Sequence, residues 1–546
     1  MNKIALLFGV LLLCSCSQNL NISTIQTDEK SFENTYITVT GIVSGDFQEK
    51  GELAGFFLQE DALFSSSGIF VHSNRKVNLG DEISITAKVI EYKNETRLDS
   101  VTSLEILSQG NSVNTQTLSF PFSEKSIEKL EGCIVEVENE MLVSDSYSFD
   151  KYGQILISLN PLIQATEIYD AQNEASEIIK LNSIQTASSI RLDDLSNSRF
   201  PKDSSLYIAR DKLVIGAKIN NIKGYLTQKN ETYSIRLVNE LIAELPQPKM
   251  DSNESGKFNI MSFNLHNLFN GDGLGEGFPT ARGAKTHELY LTQLQKLASA
   301  ISLSNPAIIA IMEIENDGED SLSTISQLCS YLNNHTQRST YEIAFSNGKA
   351  ANDVIKTAIL YDSEVVNTID LASYQSAKVY SRSPLFQKFS FQDSLEFVLS
   401  VNHFKSKSPR GAKGDNVDMM DGQAAYNAKR VLQAETFNTI IDSLYPNENL
   451  IVVGDFNAYS MEDPIQELAS SRLDKVSTSN YSYVYMGKQG CLDHVFVTDT
   501  FSKYIRSVNS ININAAYPNW IDYRFENSDS SFLRSSDHNP LVIGIY

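Results

Sequence analysis

Through the first 245 residues the apolar and polar positions fall into short strand-like runs, whereas beyond residue 257 such runs alternate with helical periods. Tyr36–Val43, Gly55–Gln59, Gly68–His72, Glu82–Tyr92 and Ser103–Leu107 are β-patterned and separated by turn residues, the rhythm of a small barrel or sandwich over 35–110. Phe56, Phe57 and Phe70 sit within alternating apolar runs, which predicts core positions rather than base-stacking platforms. A second β-rich region, 116–245, carries runs at Cys133–Val137, Gln154–Leu159 and Leu213–Ile222 but no constellation of reactive side chains. Pro246 and Pro248 lead into Asp251–Gly256, which reads as a linker.

The segment 257–546 is patterned as a separate α/β domain. Its apolar strands are Phe258–Phe263, Ile308–Met312, Phe397–Val401, Leu450–Val453, His494–Val497 and Leu541–Ile545. Tyr290, Leu294, Leu297 and Ile301 share one face of a helix predicted over His287–Ser302. Val431, Ala434, Phe437, Ile441 and Leu444 do the same over Ala424–Leu444.

The N-terminus alters the expected compartment. A short basic start, the apolar run Ile4–Leu13 and Leu13-Cys-Ser-Cys16 have the form of a bacterial lipoprotein signal over 1–16, with Cys16 as the acyl acceptor. The expectation is an exported lipoprotein of the cell envelope or surface, in the outer membrane if the cell is Gram-negative. Its only membrane contact would be the lipid on Cys16, through a polar tether over 17–34. The remaining cysteines, Cys133, Cys329 and Cys491, are too few for a disulfide framework, and nothing suggests a zinc cluster or a protein partner. Across 546 residues the net charge is −22, which argues against bulk electrostatic coating of nucleic acid but not against an enzyme with a locally cationic site. The larger share of that excess lies ahead of residue 257.

Chemistry-bearing residues cluster where the strands of 257–546 end. Asn264, Glu313, Asn402-His403, Gly454-Asp-Phe-Asn457, Asp493 and Ser536-Asp-His-Asn539 each stand at a strand terminus. Singly, such residues are ordinary turn formers or solvated charges. Six in one domain predict convergence at one edge of the sheets.

These stretches, with Ser262–Phe269, Ala281-Arg-Gly283, Ile311–Asn316, Asp353–Tyr361, Arg382–Leu385, Val401–Lys407, Asp421–Gln423 and Leu492-Asp-His494, resemble the endonuclease/exonuclease/phosphatase superfamily. Within it they are most similar to secreted bacterial nucleases of DNase I-like fold, and the module over 35–110 resembles the OB folds that precede such nucleases. The resemblance implies a four-layer α/β (α+β) sandwich flanked by helices, preceded by all-β OB-like modules. It implies His538 as general base, Asp493 fixing its tautomer, and Asp455 and Asn457 orienting water, phosphate or metal. His403 would bind the phosphate or protonate the leaving oxygen. Asn264, Glu313 and Asp537 would hold a divalent ion, Mg²⁺ foremost with Mn²⁺ or Ca²⁺ as substitutes. Arg382 would bind phosphate, and the nearby run Lys405, Lys407, Arg410, Lys413 would contact the substrate backbone. His266 and Asn539 depart from the acidic residues common at those positions.

The expected activity is metal-dependent hydrolysis of DNA, extending to RNA, by in-line attack of water and with endonucleolytic action favoured. The alternatives are phospholipid-headgroup or inositol-phosphate hydrolysis on the same fold, and a non-catalytic binding lipoprotein.

Overall fold

A computed structural model describes residues 19–60, 66–196, 199–200, 207–246, 256–392, 395–525 and 531–546. The signal segment 1–16, with Cys16, and most of the linker at 251–256 lie outside the described residues.

The first unit is a closed five-stranded barrel. Tyr36–Phe47 pairs antiparallel with both Gly55–Gln59 and Glu82–Glu91. Gly68–His72 pairs antiparallel with Gly55–Gln59 and parallel with Thr96–Ser108, which returns to Glu82–Glu91 and closes the ring. The stretch expected to be a tether is part of this unit. Asn19–Leu20 pairs with Thr38 and Val39, and the helix Ile22–Thr27 buries Ile22 and Ile25 in the barrel core. Two isoleucines three apart supply a buried helix face that the surrounding Ser, Asn and Thr conceal.

Phe56, Phe57 and Phe70 are all buried. Phe56 fills the barrel, while Phe57 and Phe70 face the second unit, where Tyr225 stacks on Phe57 at 4.2 Å. That second unit holds a nine-stranded sheet and the helix Ala175–Ala187. Leu213–Ile222, which reads as one strand, is a turn followed by the short strand Lys218–Asn220, with Ile222 opening the strand Ile222–Lys229.

The C-terminal unit is a two-sheet sandwich with helices on both outer faces. In the six-stranded sheet, Ile308–Glu315 and Phe258–Leu268 run parallel at the centre. In the seven-stranded sheet, Leu395–His403 and Leu450–Asp455 do the same. The continuous apolar runs follow from burial on both faces. Ile308, Ala310 and Met312 point into the core between the sheets, while Ile309 and Ile311 pack under His287–Ser302 and Thr324–His335. Ile451 and Val453 enter the same inter-sheet core, and Leu450 and Val452 pack under Asn427–Leu444. The helix His287–Ser302 starts on Thr286, whose side chain accepts the Leu289 N–H. Asn427–Leu444 buries Ala434, Phe437 and Ile441 of the predicted stripe, and polar residues widen the buried face. Arg430, Gln433 and Asn438 are buried, whereas Leu444 is exposed.

Candidate active site

Sheet register aligns the reactive groups. His403 lies opposite Asp455, and Asp455 opposite Asp493, across three adjacent strands that end together. The approach is close: a Cβ on Gly454 would sit 2.0 Å from the Asn402 carbonyl oxygen at φ +144, so only glycine fits. In the facing sheet both central strands shift register, between Asn264 and Leu268 and between Ile311 and Ile314. Glu313 sits in that irregularity with φ +59, and His266 and Asn267 also have positive φ. Bulges of this kind re-aim side chains at strand ends.

The sandwich brings these groups into one cluster. His538 Nδ1 donates to Asp493 Oδ2 at 2.7 Å, and its Nε2 lies 3.9 Å from Asp455 Oδ2. His403 Nε2 is 3.5 Å from Asp455 Oδ2 and 3.8 Å from Glu313 Oε1. Asn457 N and Nδ2 donate to Asp455 Oδ1 and Oδ2 at 2.9 and 3.2 Å. Tyr483 packs on the His538 ring with centroids 4.7 Å apart.

The two histidines are pushed in opposite directions. Burial, with Arg382, His538 and Arg282 nearby, holds His403 well below its ordinary value. Burial also opposes charge on His538, but Asp493, Asp455 and Asp537 outweigh it and raise its pKa well above normal. Burial pushes the Asp455 carboxyl up despite His538. Asp537, though buried, is held below the usual carboxylate range by His266, His538 and Arg534. Opposed shifts within one cluster are the electrostatic signature of separated acid and base duties.

Glu313, His403 and Asp455 present ligand atoms within 4.8 Å of one another, a group able to hold a metal ion. The fit is good chemically: two carboxylates supply hard oxygen donors, and His403 turns Nε2 toward both. Of the residues expected as ligands, Glu313 is in this group. Asn264 instead spends both ends of its carboxamide. Nδ2 donates to Asp455 at 3.2 Å and Oδ1 accepts the His266 N–H at 3.0 Å, so it orients Asp455. Asp537 lines the cleft beside His266, 3.8 Å away. Asn539 caps the backbone N–H groups of Asn514 and Ala515.

The expected phosphate binders divide. Arg382 is buried and clamped to Asp353 at 3.0 Å and to the carbonyls of His403 and Phe404, so it locks the strand end that carries His403. Lys407 is paired with the buried Glu462. Lys405 lines the cleft over the Tyr426 ring at 4.4 Å. Arg282 and Lys429 are further cleft cations; Arg282 is half exposed and shares Asp353 with Arg382, at 3.5 Å. Arg282 stands within the motif Ala281-Arg-Gly283, where the sequence assigns it no role. The same holds for Asn267 in Ser262–Phe269, whose Nδ2 donates to Glu313 at 2.6 Å. Tyr483 and Gln164, also at the cleft, lie in stretches with no distinguishing pattern. The cleft has a volume of about 730 Å³.

The sequence model described as the Endonuclease/Exonuclease/phosphatase family matches residues 261–538. No curated protein matches the chain. An endonuclease/exonuclease/phosphatase structure from Bacteroides vulgatus is 12% identical and covers 53% of this chain and 98% of its own, with a TM-score of 0.35. The human Nocturnin catalytic domain is 16% identical over 53% of this chain and 94% of its own, with a TM-score of 0.35. A mannosyl-6-phosphatase from Bacteroides thetaiotaomicron is 14% identical over 53% and 99%, with a TM-score of 0.34.

Proposed function

Since the chain belongs to the endonuclease/exonuclease/phosphatase family, whose members hydrolyse phosphoester bonds, we propose that it is an exported, divalent-metal-dependent nuclease acting on DNA, with RNA as the second candidate substrate. The observation that carries this reading is the cleft itself. A Glu313–His403–Asp455 group faces an Asp493-clamped His538, and Arg282, Lys405 and Lys429 line the same space. Cations beside a metal-competent carboxylate pair suit a polyanionic chain whose scissile phosphate must lose charge repulsion before water can attack.

In this mechanism Asp493 keeps the proton on His538 Nδ1, so that Nε2 is the atom that accepts from water. His538 must first shed the proton that its three neighbouring carboxylates favour, so activity rises with pH through that loss. His403, neutral because it is buried, serves as hydrogen-bond donor to a phosphoryl or leaving oxygen. Asn457 and Asn264 fix Asp455, and Asn267 fixes Glu313. A divalent ion held by Glu313 and Asp455, Mg²⁺ foremost, would polarise the phosphoryl oxygen and offset developing charge.

The closed barrel order, with its single parallel pair, supports an OB-like reading of 35–110. Tyr225 stacked on Phe57 favours a scaffold role for that face over base stacking. The apolar run ahead of Cys16 supports export and lipidation; Cys16→Ser should lose acyl labelling and leave the membrane fraction, and retention of both would oppose the anchor.

Product analysis on circular, linear and single-stranded DNA, RNA, a phosphoinositide and a sugar phosphate, with Mg²⁺ or EDTA, tests the activity. Metal-dependent loss of DNA is expected. Intact nucleic acid with hydrolysis of a monoester would replace this reading by a phosphatase.

A further inference from the structure

The second β-rich unit reaches the catalytic cleft through one short segment. Leu162–Ile163 pairs parallel with Lys488–Gly490, extending the hairpin whose other strand is Tyr483–Tyr485. Gln164 continues that pairing: its N–H donates to the Gln489 carbonyl at 2.9 Å, and its Nε2 donates to the Tyr485 carbonyl at 3.1 Å. Its side chain lines the same cleft as His403, Asp455 and His538. Two residues on, Thr166 accepts the Met461 N–H on its carbonyl and donates its hydroxyl to the buried Glu462, the partner of Lys407. Glu167 then accepts the Cys491 N–H at 2.9 Å, the Ser460 N–H at 3.3 Å and the Ser460 hydroxyl.

Those acceptor contacts fall at informative places. Ser460 ends the loop that begins with Asp455 and Asn457, and Cys491 stands two residues before Asp493. One carboxylate from another unit therefore ties the loop that follows Asp455 and Asn457 to the segment that leads into Asp493.

We propose that the 116–245 unit is a component of the active site. Gln164 contacts the nucleotide beside the scissile phosphate, and Glu167 is a positioning residue for the Asp455 and Asp493 loops. The nucleotide as ligand rests on the nuclease reading; the positioning of the loops does not. Gln164, with the exposed Tyr485 beside it at the cleft, offers an amide and an aromatic surface, the combination that takes a base by hydrogen bonding and stacking.

The test uses the full chain with Gln164→Ala and Glu167→Gln, assayed on plasmid DNA, RNA, bis(p-nitrophenyl) phosphate and p-nitrophenyl phosphate. Gln164→Ala should raise KM for the polymer about tenfold, leave kcat within twofold, and spare the small esters, which have no base to bind. Glu167→Gln should cut kcat about 100-fold on polymer and small ester alike, because loop displacement near 1 Å costs about that much. Its melting temperature should stay near wild type while amide exchange at Ser460 and Cys491 accelerates. Wild-type-like kinetics for both variants, on whichever ester the wild type hydrolyses, would overturn the proposal. Hydrolysis of small esters without nucleic acid would remove the nuclease reading and the base contact with it, and the Glu167→Gln comparison on that ester would still decide the positioning claim.

Discussion

His538 and His403 lie in one cluster yet are pushed apart by their surroundings, and that divergence sets the residue-scale expectations. Asp493→Asn removes the carboxylate that fixes the Nδ1 proton and helps hold His538 charged. The kcat should fall by about 10²–10⁴-fold and the acidic limb of the kcat/KM profile should move to lower pH. An unmoved limb would separate Asp493 from His538. A third histidine affects stability rather than chemistry. Burial, helped by Lys475, drives His494 down to about 3, and its Nε2 donates to the Ala458 carbonyl at 2.8 Å. Below pH ~6.5 the unfolded chain binds a proton there that the folded chain refuses, so stability falls with pH from about 6.5 toward 3. At pH 4.5 that loss is about 3 kcal/mol. In His494→Gln, urea unfolding should show a correspondingly smaller drop between pH 7.5 and 4.5; an equal drop would assign the acid sensitivity elsewhere. The sequence revealed which residues gather but not their partners. Arg382 and Lys407, read as phosphate ligands, line the cleft, and each is also paired with an acid distant in sequence, Asp353 and Glu462.

Strands and helices were legible to the degree that their burial was one-sided or complete. Ile308–Met312 and Leu450–Val453 stand out because consecutive residues enter different cores and neither face meets water. Ile308→Ala and Ile309→Ala should therefore cost similar amounts, about 2–5 kcal/mol each in chemical unfolding. A large cost at one and none at the other would mean one face is solvated. The helix Ala175–Ala187 left no pattern because it buries only Ile178 and Gln185. In Asn427–Leu444 the centre of the apolar stripe was legible but its polar margin was not, because buried Arg430 donates to the carbonyls of Gln423 and Ala425 and holds a loop that periodicity does not reveal. The bulges that aim Glu313 and Asn267 were invisible, since each depends on pairing between strands far apart in the chain.

At the scale of the whole molecule, a net charge of −22 coexists with a cleft where Arg282, Lys405 and Lys429 lie together. Few phosphates can be contacted, so the salt dependence of DNA binding should be shallow. About three contacts give a slope of about −3 in log K against log salt, and a slope near −10 would require an extended cationic surface. The two-sheet catalytic unit and the β-rich units before it were readable from turn spacing and strand rhythm. The docking of 164–167 against the catalytic loops was not, because it is a contact between surfaces that share no sequence pattern. The central claim concerns what the assembled cleft does to a phosphodiester. The most direct measurement is the rate of supercoiled-plasmid cleavage in Mg²⁺ by wild type and by His538→Ala, run side by side. Cleavage by the wild type that falls at least about 100-fold in the variant is the predicted result; equal rates, or no cleavage by either protein, would contradict it.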